Sequence, residues 1–169
     1  MWLANLIDRF TRVVALVVSL IVVPLVLAMV YEVVSRYVFA APTYWAFEVS
    51  YMMMGTIFLF GIAYALQIGQ HVNVDFINFA ISDGARRTIR VGSNILLLAM
   101  VTWLTYALYQ YVVSAYRSGE GSGVSAWNPT IWPYRVAYLA GFALFALQLI
   151  SEMIKDLAVF MGAQPGEDA

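Results

Sequence analysis

The sequence predicts an all-α, polytopic membrane protein: four transmembrane helices with N- and C-termini cytoplasmic, plus a short amphipathic interfacial helix between spans 2 and 3. Three observations carry that prediction. Of 169 residues, 63% are hydrophobic and only 11% are charged, far below the roughly 25% with which a soluble domain covers its surface. Four apolar runs reach or approach the about 20 residues a helix needs to cross the hydrocarbon of a bilayer. The basic residues are unequally shared. Arg9, Arg12, Arg86, Arg87, Arg90 and Lys155 fall at one side of such a bundle, and Arg36, Arg117 and Arg135 at the other. The positive-inside rule then places both termini in the cytoplasm.

The spans are expected at about 13–35, 44–68, 90–114 and 131–154, in a single domain over residues 1–160 with a flexible cytoplasmic tail at 161–169. The first is preceded by Leu3, Leu6, Ile7, Phe10 and Val14 at helical spacing, with Asn5, Asp8, Arg9 and Arg12 on the opposite face. Such a segment can lie among lipid headgroups before the chain turns inward. Its apolar run is too long for a signal-peptide core and is followed by Glu32 and Arg36, so an uncleaved signal anchor is expected. Pro24 falls mid-span and is expected to kink the helix, a defect that neighbours in a bundle tolerate. The turn Ala-Ala-Pro-Thr at 40–43 joins spans 1 and 2, with Thr43 as the expected N-cap of the second. After span 2, residues of about 72–83 set Val74, Phe76, Ile77, Ala80 and Ile81 against Asn73, Asn78 and Asp83, which suits an amphipathic helix on the membrane surface. Span 3 carries Trp103, Tyr106 and Tyr109 toward its outer end, a stripe that reads as packing or interfacial belt. The outer loop at about 117–130 is rich in glycine, serine and proline and is expected to be exposed.

The chemistry of the chain is spare. Cysteine is absent, which excludes disulfides, thiolate catalysis and iron–sulfur ligation, and the net charge of −1 gives no basis for nucleic-acid binding. The single histidine, His71, cannot supply the two imidazoles of a bis-histidine haem, and with Asp75 it forms at most an i,i+4 polar pair. No metal, cofactor or catalytic group is expected. Small residues at Gly61 and Ala65, and at Ala137 and Gly141, would let helices approach closely. Arg36 and Glu48 lie six residues to either side of Pro42, so a helical hairpin would bring them to similar depth, with Glu32 joining Arg36 at i,i+4. They can serve as a structural clamp, as a contact for a partner protein, or as an ion-coupling group. The middle of every span lacks Asp, Glu, Lys, Arg and His, whereas a self-sufficient transporter keeps polar groups near the midplane. An accessory or scaffold subunit follows. The rival readings are a self-contained four-helix proton-coupled exporter acting as a homodimer through Glu32 or Glu48, and an assembly protein unconnected with transport.

The spacing of Arg36, Trp45 and Glu48, together with GIAYALQIGQHVNVDFI at 61–77, resembles the small, DctQ-like permease subunit of tripartite ATP-independent periplasmic (TRAP) transporters. The second stretch matches that family's pattern through Gly61, Ala63, Ala65, Leu66, Gly69, His71, Val74 and Asp75. The later SAWNPTIWPYR, at 125–135, resembles the branch labelled for mannitol, chloroaromatic or 2-oxo acid transport. Gln67 and Gln70 are neutral where relatives commonly carry charge. The resemblance implies a bacterial inner-membrane protein, not an enzyme, that braces a large permease subunit in sodium-driven uptake of small organic acids. It also implies membrane lipid and a periplasmic substrate-binding protein as partners. Glu32, Arg36, Trp45, Glu48, Gly61, His71 and Asp75 are then the candidate structural or partner-interface residues.

Overall fold

The computed structural model describes residues 2–69 and 83–160. Five helices make up nearly all of it: α1 (Trp2–Ser19), α2 (Val22–Tyr37), α3 (Ala46–Gln67), α4 (Asp83–Ser118) and α5 (Trp132–Phe160). The first two form one span, so four segments are long and apolar enough to cross a membrane. The expected surface helix at about 72–83 falls almost wholly outside the described residues.

The joint between α1 and α2 has a defined cause. Pro24 has no N–H to offer the carbonyl of Leu20, four residues before it. That carbonyl instead accepts from Val23 N at 3.2 Å, and Leu20 N and Ile21 N bond to Val17 O and Val18 O at 3.2 and 3.0 Å. The turn tightens over two residues, and regular bonding resumes with Leu25 N on Ile21 O at 3.1 Å. The expected kink is therefore a short break that leaves both halves helical.

α5 is the central element and packs against α1, α3 and α4, while α2 packs on α3. The apolar core is small: Ala63, Val101, Leu144, Phe145 and Leu149, with Val14, Phe60, Leu66, Leu97, Leu98, Phe142 and Ala146 around it. Close approach of α3 and α5 depends on glycine. A Cβ at Gly141 would stand 3.0 Å from Leu59 Cβ, and one at Gly55 would stand 2.5 Å from the Tyr134 hydroxyl. Gly141 belongs to the expected small-residue pair of span 4, whereas a Cβ on Gly61 would meet nothing within 4 Å.

α1 keeps its expected apolar face outward but turns Asp8, expected among the headgroups, toward the bundle. Leu3, Leu6, Phe10, Val13, Leu16 and Val17 are exposed, while Ala4, Thr11 and Val18 are buried against the bundle, with Asp8 on the same side. The segment is the continuous beginning of the first span, and its apolar face looks out. In lipid this is the expected polarity, because hydrocarbon solvates leucine as well as another leucine does and only small or polar groups gain by turning inward.

Candidate functional site

Hydrogen-bonding side chains concentrate at the two ends of the bundle. At the end where α1 begins and α5 finishes, Asp8 of α1 is the hub. Its Oδ2 lies 2.6 Å from Lys155 Nζ, and its Oδ1 accepts from Gln148 Nε2 and Ser151 Oγ, each at 2.8 Å. Gln148 is wholly buried and uses its other atoms as well: Oε1 accepts from Thr11 Oγ1 at 2.8 Å, and Nε2 reaches Glu152 Oε1 at 3.1 Å. Lys155 also bonds Glu152 at 2.7 Å, and Gln67 of α3 donates to the backbone carbonyl of Asp8 at 3.0 Å. The result is a latch between the first and last helices. Gln67, neutral where the resembling family often has charge, serves here as an internal strut. From sequence, Asp8 was read as facing the headgroups and Lys155 as a basic residue of the cytoplasmic side, and Gln148 and Ser151 were not singled out. The signal was present: residues 148, 151, 152 and 155 share one helical face, and Asp8 falls midway between the small residue Ala4 and Thr11, which lie on one stripe.

At the opposite end, the hairpin turn and the loop between α4 and α5 form a second cluster. The sequence reading expected Arg36 to meet Glu48 across the hairpin, with Glu32 joining at i,i+4. The structure instead closes Arg36 on Glu32, with Nε at 2.8 Å from Oε1 and a second contact through Nη2. Glu32 Oε2 accepts from the backbone N of Thr43 at 2.9 Å and from the Thr43 hydroxyl. Thr43 is therefore not the N-cap of α3; that position falls to Trp45, which makes no side-chain cap bond. The reason lies in the connection. Ala40 adopts a left-handed conformation (φ 49) and Ala41 N folds back to Ser35 O at 2.9 Å, so the chain turns at once and brings Thr43 over the end of α2. Trp45 then stacks on Tyr31, with ring centroids 6.0 Å apart.

Glu48, in the first turn of α3, faces the interior and is wholly buried. Its Oε1 accepts from Ser122 Oγ at 2.8 Å, while Oε2 has no partner among the described residues. Ser122 comes from the loop expected to be simply exposed. That loop is a narrow hairpin, held by a Gly121–Thr130 bridge, by Ser122 N on Pro129 O at 2.9 Å and by Ile131 N on Glu120 O at 3.0 Å. Its glycines are required: Gly119 takes φ 63 to end α4, and a Cβ at Gly121 would sit 2.4 Å from Asn128 Oδ1. Glu120 forms a bidentate pair with the buried Arg135 at 2.8 and 2.9 Å, and Arg135 lies 3.5 Å over the ring of Tyr111. The two Arg135 hydrogen bonds hold the Glu120 carboxyl below its ordinary range, against a smaller opposing effect of desolvation. Sequence reading placed Arg135 in the fourth span but did not pair it, because its partner lies in a loop fifteen residues earlier.

The candidate residues thus separate. Glu32, Arg36 and Trp45 gather at the hairpin; Glu48 is tied to the loop; Gly61 is on an outward face of α3. His71 and Asp75 lie outside the described residues. Chemically, both clusters fasten helices to one another.

The family described as "Tripartite ATP-independent periplasmic transporters, DctQ component" matches residues 25–159. No curated protein matches the chain significantly. The matched stretch runs from α2 through α5, so the four-span, end-clamped bundle described above is the body of a DctQ component, and the chain belongs to that TRAP transporter family.

Proposed function

We propose that this chain is the accessory small subunit of a sodium-gradient-driven TRAP importer of small organic acids in a bacterial inner membrane, with both termini in the cytoplasm. In this reading it braces the large permease subunit and helps the periplasmic substrate-binding protein to dock at the loop end. The carrying observation is the distribution of polar chemistry: among the described residues the ion pairs Glu32–Arg36, Glu120–Arg135 and Asp8–Lys155 lie at the two ends of the bundle, and the apolar core is Ala63, Val101, Leu144, Phe145 and Leu149. A pathway for an organic acid and sodium needs polar groups at mid-depth. The cargo therefore crosses in another polypeptide, and this one supplies rigidity.

Reconstitution tests the proposal. Vesicles containing the purified chain alone are expected to show no sodium-dependent uptake of labelled organic acids. Vesicles that also hold the large permease, supplied with the binding protein, are expected to show uptake that stops when the sodium gradient is collapsed. Flux through the chain by itself would overturn the proposal and would favour the homodimeric exporter, in which Glu32→Gln or Glu48→Gln abolishes proton-coupled transport.

A further inference from the structure

The first span is held at two places and ungripped between them. α1 packs against α5 and α3, whereas α2 packs on α3. Among the described residues, the polar ties from α1 to other helices all fall between Ala4 and Thr11. Ser151 Oγ reaches Ala4 O at 3.2 Å, Gln67 reaches the Asp8 carbonyl, the Asp8 carboxylate takes Gln148, Ser151 and Lys155, and Thr11 donates to Gln148. α2 is anchored separately, through Glu32 to Thr43 and through Ser35 O to Ala41 N. From Ser19 to Leu27 no residue is buried, and Ser19, Leu20, Val22, Val23 and Pro24 are exposed. The joint lies in this stretch, where Leu20, Ile21 and Val23 make i→i−3 bonds. Ser19 Oγ also bonds Leu16 O at 2.7 Å, a back-bond that favours bending. A short 3₁₀ stretch inside a helix is a common form of hinge.

The grip on α1 is polar more than apolar. Its buried residues are Ala4, Thr11 and Val18, so little apolar surface is uncovered when α1 leaves, and lipid covers that surface about as well as another helix does. Gln67 Oε1 is buried without a partner among the described residues, so release forfeits less than a fully satisfied network would.

We propose that residues 19–22 form a hinge and the Asp8 cluster its catch, so that α1 opens as a rigid arm away from α5 while α2 stays on α3. The bend is absorbed by a few residues at the ends of two helices, which themselves keep their shape. Opening uncovers Gln148 and Ser151, both wholly buried when the arm is closed. Leu3 stands about 26 Å along the helix from the hinge, so a swing of about 20° carries it about 9 Å.

The chain has no cysteine, so nitroxide labels can be attached at introduced cysteines without background. The full chain in lipid nanodiscs is labelled at Leu3 and Met100 to report the arm, or at Val30 and Met100 to report α2; all three positions are exposed. Double electron–electron resonance is expected to give one narrow distance distribution for each pair with the catch intact. Asp8→Ala is expected to add to the Leu3 pair a population about 5–10 Å longer, with the Val30 pair unchanged. Adding Pro24→Ala returns an N–H to the Leu20 carbonyl and joins the arm to anchored α2, which is expected to shrink that population about threefold. An unchanged Leu3 pair in Asp8→Ala would overturn the catch. Broadening of both pairs would mean general loosening and would overturn the hinge, as would a longer population that Pro24→Ala leaves at full size. If Asp8→Ala fails to fold, Thr11→Val, which removes only the bond to Gln148, decides: a smaller longer population is expected, and its absence would overturn the proposal.

Discussion

The first span and the last obey opposite rules. Trp2–Tyr37 has the most apolar stretch among the described residues, with a mean hydropathy of 3.1, yet its large side chains face outward and the residues it buries are Ala4, Thr11, Val18, Ala28, Glu32 and Ser35. Trp132–Ala158 reaches only 1.6 and is 33% buried over the corresponding window. In water the order would be reversed, because apolar surface is driven inward. The contrast shows that in this bundle hydropathy decides which residues meet the membrane, while glycine, alanine, serine, glutamine and paired charges decide which residues meet each other. α5 is central because it carries Gly141, Gln148, Ser151 and Lys155, not because it is greasy.

Substitutions can break or sharpen that contrast. The largest effect is expected from Asp8→Leu, which adds hydropathy to the first span but strips Lys155, Gln148 and Ser151 of their shared acceptor. A loss of about 2–3 kcal/mol is expected, less than for a fully buried pair because Lys155 retains some access to solvent. Unfolding in mixed detergent micelles would read it, and a more stable variant would refute the latch. Gly141→Leu forces bulk against Leu59 and is expected to cost about 1–3 kcal/mol, whereas Gly61→Leu leaves the isolated chain unchanged. Ser122→Ala removes the one donor to buried Glu48 among the described residues and is expected to cost about 1–2 kcal/mol, seen as faster proteolysis of the loop at 119–131. The Glu120–Arg135 pair gives a smaller, pH-dependent effect. Because the folded carboxyl lies below its ordinary value of 4.5, the stabilisation is complete above that value and is lost as pH falls through the lower folded one. Fluorescence of Trp127 and Trp132 would follow it, and Glu120→Gln is expected to flatten the response. Smallest of all, Leu16→Ala on the exposed face of α1 is expected to change stability by less than about 0.5 kcal/mol.

The four spans were legible because length and hydropathy are local properties, and the i,i+4 closure of Arg36 on Glu32 was legible for the same reason. The mates of Glu48 and Arg135 were not. Each is held by a side chain in a glycine-rich loop, and the composition that suggests an exposed connection is also what permits the tight, positive-φ hairpin found at 119–131. Asp8 was assigned to a headgroup-facing surface because an amphipathic pattern gives two faces without saying which one turns inward. That choice depends on the solvent and on Gln148 and Lys155, some 140 residues away in the chain.

The latch between Asp8 and residues 148–155 also has a consequence for biogenesis. Asp8 leaves the ribosome some 140 residues before the partners that hold it, so its contacts with Gln148, Ser151 and Lys155 cannot form until α5 has been made. Until α5 has left the translocon the carboxylate of α1 has none of these partners, and only then can the two helices be fastened to each other.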